Sequence, residues 1–362
     1  MTPHSVLRSA RVLAAVLTVS LIAAACGDSD EEGGGSGGQS GEPKLTATIN
    51  GSGATFPQPF YEAVIGEFKK AQENITVNYG GGGSGKGRQE LQDQVVDFAG
   101  SDGTVKAEDV PKYKGGQFLY VPTVAAPITV SYNLPEAKGL KLDAPVVARI
   151  FQRQIKQWDA PEIKALNPEV RLPSSPITVA HRSDGSGTTE NFTKYLMAAA
   201  PGVWTLKSGS TVEWPADTQA GNGNSGVSQI VKNTAGAIGY VDLSDAKASQ
   251  LQFALVKNKS GQFVEATTAG ASAALEGAEL KPDLTYDPLN ASGAQSYPIT
   301  APTWILVYKN QLDKNKGEAL KAFLRFLLTD GQEQAERVDY AQLPPPVKEK
   351  ALAQLDNIVV PA

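Results

Sequence analysis

The sequence predicts an α/β protein with enough folded chain for two domains. Short strands with apolar alternation are interleaved with amphipathic helices. Once the N-terminal segments are set aside about 320 residues remain, more than one ordinary core accommodates. Three separate stretches also end a strand in a Gly/Ser turn and then open a helix, which points to an anion held by backbone N–H groups.

The first 25 residues carry Arg8 and Arg11, no acidic residue, and an apolar run from Val12 to Ala25 broken by Thr18 and Ser20. A bilayer span needs about 20 apolar residues, so this stretch reads as an export signal, 1–25. Cys26 is the only cysteine, which rules out an internal disulfide. "LIAAAC" is similar to the lipobox of bacterial lipoproteins, with Ala23 where Leu is usual, and the similarity implies lipidation at Cys26. The stretch that follows, "GDSDEEGGGSGGQSGEP", has no apolar side chain to bury and reads as a flexible tether, 26–43. Its r.m.s. reach is roughly 20–25 Å. Five acids (Asp28, Asp30, Glu31, Glu32, Glu42) lie in it, which leaves the folded part with 31 basic and 33 acidic residues, a net charge of −2. No basic stripe is present, so nucleic acid is not an expected partner.

Along the folded part, "ITVNY" (75–79), "APITVSYN" (126–133), "PITVAHR" (176–182), "GAIGYVDL" (236–243) and "TWILVYK" (303–309) read as strands. Phe60, Tyr61, Val64, Ile65 and Phe68 recur at helical spacing. Further helices are expected at 145–156, 188–199, 224–233 and 316–337, the last with Leu320, Phe323, Leu324, Leu327 and Leu328 as its buried stripe. The alternation favours mostly parallel sheets. There is no internal repeat and no second low-complexity segment.

The three turns are "GSGATFPQPF" (51–60), "GGGGSGKGRQEL" (80–91) and "HRSDGSGTTENF" (181–192). A Gly/Ser turn before a helix is usually only a cap; three in one chain suggest one anion gripped from several sides. Gly80, Gly85 and Lys86 match nucleotide-loop spacing, but Gly87 follows the lysine where Mg²⁺ binding needs Ser or Thr, so ATP is not expected.

Together "GSGATFP", "DFAGSD" and "HRSDGSGTT", with "GNGNSGVSQIVKNTAGAIGYVD" and "YPITAPTWILVY", resemble the substrate-binding proteins of bacterial ABC phosphate transporters, from about Leu45 to near the C-terminus. The resemblance implies a two-lobed periplasmic-binding-protein-like fold (type II), two α/β lobes joined by crossover strands. Lobe I would take 44–125 with 299–362 and lobe II 126–298. It also implies phosphate contacts from Thr55 and Phe56 of "ATF", Ser84 of the Gly-rich turn, Asp102 ending "GSD", Arg182, and Ser186, Gly187 and Thr188 at a helix start. Asp184 would orient Arg182. The chain departs at Gly85-Lys86, where Ser-Gly is common in relatives, so Lys86 could face solvent or charge the cleft rim.

The chemistry of these residue types fits a protonated oxyanion. Arg182 can give two N–H bonds to two oxygens. A carboxylate at Asp102 suits a ligand that carries a proton: phosphate does near neutral pH and sulfate does not. The resemblance implies an exported receptor, lipid-anchored at the outer face of the cytoplasmic membrane, that delivers phosphate to ABC permease subunits and is a monomer outside that complex. The alternatives are a secreted phosphohydrolase or a receptor for another oxyanion on the same scaffold. A hydrolase is disfavoured because His181, Asp184 and Ser186 lie in one turn, whereas triad members converge from different elements. One histidine and no free cysteine in the mature chain leave no transition-metal site in view, so neither enzyme activity nor a cofactor is expected. "GNGNSG" (221–226) has no assignable ligand contact in the sequence.

Overall fold

The structure, a computed structural model, describes residues 45–362; the export signal, Cys26 and the tether lie outside the described residues. The chain opens with β1 (Ala47–Gly53), α1 (Gln58–Ala71), β2 (Ile75–Gly80), α2 (Ser84–Gln92) and β3 (Phe98–Ser101). The 15-residue β4 (Phe118–Tyr132) follows, then β5 (Lys141–Leu142), α3 (Ala144–Phe151) and α4 (Pro161–Leu166). Next come β6 (Thr178–Arg182), α5 (Gly187–Ala199), β7 (Gln219–Gly221), α6 (Gly223–Asn233), β8 (Ala237–Asp242) and α7 (Leu243–Ala248). Short β9 (Gln252–Phe253), β10 (Leu255–Lys257) and β11 (Phe263–Val264) precede α8 (Thr268–Leu275). The described part closes with β12 (Thr300–Tyr308), α9 (Lys314–Leu328) and α10 (Pro345–Gln354).

The main sheet runs β2-β1-β3-β12-β4-β8-β6-β7, with β9 beside β4, and β11-β10-β5 form a small second sheet. Both ends of the main sheet are parallel, as strand–helix alternation predicts: β1 pairs with β2 and β3, and β6 with β7 and β8. Its middle is antiparallel, because β4 and β12 run through it in opposite directions. From Phe118 to Pro127 β4 pairs with β12, and from Ile128 to Tyr132 it pairs with β8. One long buried strand thus belongs to two halves of the molecule, which is the arrangement of a two-lobed fold joined by crossover strands. The segment expected as a separate strand at 126–133 is the second half of β4.

The helix stripes bury as their spacing predicts. Phe60, Tyr61, Val64 and Phe68 of α1 are buried, and α9 buries Leu320, Phe323, Leu324, Leu327 and Leu328. Phe68 and Phe98 close on Phe323 at 5.4 and 5.8 Å between ring centres. Each such side chain contributes about 1.5–3 kcal/mol, enough to fix the helix on the sheet. Two helices stop earlier than their apolar periodicity suggests. The last ends at Leu328, because Thr329 leaves helical backbone geometry and turns its hydroxyl onto the Arg325 carbonyl (2.9 Å); the chain continues as 3-10 turns at Asp330–Gln334 and Glu336–Val338. The one expected at 145–156 ends at Phe151, and Arg153 follows at φ 61°.

This topology positions the site. The turns opening α1, α2, α5 and α6 follow the C-terminal ends of the parallel strands β1, β2, β6 and β7, and Asp102 follows the end of β3. Crevices at that edge are where α/β sheets present helix N-termini to ligands.

Candidate anion-binding cleft

On the β1–β3 side, Thr55 is half-buried in the turn after β1. The Phe56 ring belongs to the core, edge-on to Tyr340 at 6.1 Å, and its carbonyl accepts from the Tyr340 hydroxyl at 2.5 Å. Phe56 therefore offers the cleft its backbone and not its side chain. Ser84 is the first residue of α2, where N–H groups have no intrahelical partner. Its hydroxyl accepts from the Asp102 N–H (3.2 Å) and lies 3.3 Å from Asp102 Oδ2, to which it donates. Asp102 is 2% exposed, and its Oδ1 accepts from the Thr303 hydroxyl at 2.7 Å.

On the β6–β8 side, Arg182 ends β6 and is 4% exposed. Its Nε donates to Asp184 Oδ1 at 2.8 Å and its Nη2 to Asp184 Oδ2, while Nη1 donates to Thr188 Oγ1 (3.3 Å) and Asn224 Oδ1 (3.0 Å). The sequence suggested that the guanidinium fork would face the anion. Instead Asp184, two residues along the same turn, takes the Nε/Nη2 edge, and these bonds use four of the five donors. Ser186 caps α5 by accepting from the Thr189 N–H at 3.0 Å, which leaves its hydroxyl proton available for donation. The N–H groups of Gly187 and Thr188 come before the first intrahelical bond of α5 and add the positive end of its dipole.

The two sides meet. The Gly85 N–H donates to the Gly185 carbonyl at 2.8 Å, Asn191 Nδ2 to the Asp102 carbonyl at 2.6 Å, and the Asn224 N–H to Thr55 Oγ1 at 3.3 Å. Arg88 and Glu190 form a half-buried ion pair at 3.7 Å. Glycine is required at two contacts. A Cβ on Gly187 would lie 2.6 Å from Asp102 Oδ2 and closer still to the Ser84 hydroxyl. Gly83, at φ 92°, has the Gly185 carbonyl 2.5 Å from where its Cβ would stand. Lys86 takes the first of its two alternatives: it is exposed and pairs with Glu90 one turn along α2, at 3.6 Å.

The electrostatics of the two carboxylates diverge. Burial drives the Asp102 pKa up to about 7, against the hydrogen bonds from Thr303 and Ser84 and the charges of Arg182 and Arg88. Burial also pushes on Asp184, but the hydrogen bonds and charge of Arg182, with the Gly223 N–H, outweigh it and hold Asp184 below its ordinary value. Asp184 is thus the fixed negative partner of Arg182, and Asp102 is a carboxyl that can carry a proton near neutrality. The His181 ring stacks on Trp214 at 5.0 Å with Nδ1 against the Arg182 carbonyl, and burial lowers its pKa. His181, Asp184 and Ser186 thus have separate partners and form no triad. Among the described residues no cluster of His, Cys, Asp and Glu gathers to hold a metal. No described helix is long and apolar enough to cross a membrane.

All eight residues implied as ligand contacts lie at this one edge of the sheet, on both sides of the cleft. Sequence reasoning missed Thr303, Asn191, Arg88 and Asn224. Thr303 and Asn224 sit inside two stretches already noted, "YPITAPTWILVY" and "GNGNSG". Nothing in the sequence pairs them with residues 201 and 169 positions away.

Comparison with known proteins agrees with this geometry. Residues 38–331 match the sequence profile of a PBP superfamily domain. The chain is 37% identical over 348 residues to the phosphate-binding protein PstS of Methanocaldococcus jannaschii, covering 89% of each. It is 33% identical over 357 residues to phosphate-binding protein PstS 3 of Mycobacterium tuberculosis, covering 93% of this chain and 95% of that one. Its fold matches a putative phosphate ABC transporter substrate-binding protein from Clostridium perfringens, solved with bound phosphate (TM-score 0.63, 20% identity, 82% and 100% of the two chains). It also matches a phosphate-binding protein from Stenotrophomonas maltophilia (TM-score 0.69, 19% identity, 85% and 94%). With helix starts, crossover strands and sequence all in agreement, the chain belongs to the PBP superfamily and, within it, to the family of the PstS phosphate-binding proteins.

Proposed function

We propose that this protein binds inorganic phosphate between its lobes outside the cytoplasmic membrane and hands it to an ABC permease for import. One observation carries the reading. A cleft walled by helix N-termini and neutral hydroxyls has Arg182 on one side and the buried carboxyl of Asp102 on the other. A bare anion pocket would have no use for that carboxyl. Phosphate near neutral pH keeps at least one proton, and its P–O–H donates to Asp102 while Arg182, the Ser186 and Thr188 hydroxyls and the N–H groups at residues 55, 56, 84, 187 and 188 take the other oxygens. Sulfate has no proton to give and must set a bare oxygen against a buried carboxylate or bind only where Asp102 has taken up a proton, a penalty that grows as pH rises above about 7. The names of the PstS relatives and the phosphate in the C. perfringens structure support the same assignment.

The lobes in this reading are 44–125 with 299–362 and 126–298, hinged where β4 changes partner at Pro127/Ile128. Closure brings together the Gly85–Gly185, Asn191–Asp102 and Asn224–Thr55 contacts, and the closed surface is what a permease recognises. The lipid on Cys26 and the tether keep the monomeric receptor at the membrane. The protein is a carrier and not a catalyst.

The test is calorimetric titration of phosphate, then sulfate, into residues 44–362 after bound ligand is removed by unfolding and refolding. At pH 8.5, phosphate binding at about micromolar Kd or tighter, with sulfate at least about 30-fold weaker, is the expected result. Equal binding of the two would refute the role given to Asp102, and no binding by a folded sample would refute the receptor.

A further inference from the structure

We propose that Asn224 is a positioning residue for the anion site: its side chain sets the Arg182 guanidinium and its backbone ties that setting to closure of the cleft. The inference rests on the reading that Arg182 grips phosphate.

Asp184 holds one edge of the guanidinium, and Asn224 Oδ1 holds the opposite end at Nη1, 3.0 Å away. Asn224 is itself fully buried and anchored, its Nδ2 donating to Asp242 Oδ2 at 2.8 Å. Asp242 is in turn anchored by the Asp245 N–H on its Oδ1 at 3.0 Å. The amide has only one workable orientation. Flipped, it would set N–H against guanidinium N–H and oxygen against carboxylate oxygen. The same first turn of α6 reaches the other partners: the Gly223 N–H donates to Asp184 Oδ1 at 3.0 Å, and the Asn224 N–H donates across the cleft to Thr55 Oγ1 at 3.3 Å. The turn that orients Arg182 is therefore the turn that touches the opposing lobe. Opening the cleft breaks the Thr55 bond and leaves this turn held from its own lobe alone; closing it adds the hold from the opposing lobe.

The experiment compares wild type, Asn224→Ala and Asn224→Asp as purified full-length chains, stripped of ligand and titrated with inorganic phosphate between about pH 5.5 and about pH 8.5. Circular dichroism and Tm are recorded for each. Asn224→Ala removes both side-chain bonds and is expected to weaken phosphate about 10–100-fold at every pH. Asn224→Asp keeps the shape and puts a second carboxyl against Asp242. The charged and titratable groups around that pair are Asp245, Arg182, Asp184, Asp102, Glu62 and Tyr340. In acid one proton bridges the two carboxyls and Arg182 keeps its acceptor, so affinity stays within about threefold of wild type. Near pH 8.5 the added charge competes with the anion for Arg182, and affinity falls at least about 30-fold below wild type at the same pH. A residue that only fills space would lower Tm without making the Asp-to-wild-type affinity ratio pH-dependent. A flat ratio, or Asn224→Ala within about twofold of wild type, overturns the inference while the phosphate reading stands. Wild type that fails to bind phosphate overturns both.

Discussion

Asp102→Asn separates the fold from the selectivity. Asparagine has the same shape, so its carbonyl can keep the Thr303 hydroxyl now 2.7 Å from Oδ1, and its amide can donate to the Ser84 hydroxyl. The charge alone is lost. In the wild type above pH 7, sulfate must face a 2%-exposed carboxylate or bind together with a proton on Asp102, and with the pKa near 7 the second route limits the penalty at pH 8.5 to about 2 kcal/mol, roughly 30-fold. In the variant an amide N–H meets the sulfate oxygen and that penalty disappears. Phosphate exchanges a charge-assisted bond for a neutral one and weakens about tenfold. The phosphate-to-sulfate ratio at pH 8.5 is therefore expected to fall by about 300-fold, read by calorimetry on the same preparations. Stability gives a second readout. The folded pKa of Asp102, about 7, is above its unfolded value of 3.8, so the native state binds the proton more tightly. The wild type then loses stability as pH rises from about 4 to about 7, by at most about 4 kcal/mol, and the variant does not. Ligand-free Asp102→Asn should accordingly melt higher than wild type above pH 7, with the gap closing near pH 4. Sulfate still excluded from a folded variant, with no gain in Tm, would refute both the proton-acceptor role and the cost assigned to burial.

Three further outcomes follow from the same geometry. In the wild type, competition by sulfate should be weak near pH 8.5 and strengthen as pH falls to about 7, because a protonated Asp102 can donate to a bare oxygen; a pH-independent ratio of the two affinities would contradict this. Arg182→Ala leaves Asp184 buried and without its partner and should cost about 3–5 kcal/mol in stability and about 10³-fold or more in phosphate affinity; thermal melting and calorimetry check it, and affinity within tenfold of wild type would remove Arg182 from the site. Gly187→Ala sets a methyl against Ser84 and Asp102 and should leave far-UV dichroism and Tm nearly unchanged while weakening phosphate at least about 100-fold, since the obstruction arises only on closure; X-ray scattering with saturating phosphate should show the more open form, and wild-type compaction would count against it.

Local features were legible in the sequence because they depend on neighbours in the chain. Helix stripes such as Phe60-Tyr61-Val64-Phe68 and the Gly-rich turns that open helices need only spacing and residue type. That β4 is one long strand was not legible, since two strands and one bent strand share the same alternation. The mixed sheet followed from β12 returning between β3 and β4, a pairing across most of the chain. The early ends of α3 and α9 were hidden because apolar periodicity continues past the point where backbone geometry departs.

By itself the sequence determined the α/β class and the three helix-opening turns, and its motifs marked residues that the fold brings to one edge of the sheet. Only the tertiary structure decided how those residues divide the work. Asp184 takes the guanidinium edge expected to face the ligand, burial turns Asp102 into a carboxyl that titrates near neutrality, and Thr303, Asn191 and Asn224 become its partners or those of Arg182. The reason is range. A turn's N–H groups are set by a few adjacent dihedral angles, whereas desolvation and hydrogen-bond partnership are set by whichever distant strands and helices close around a group.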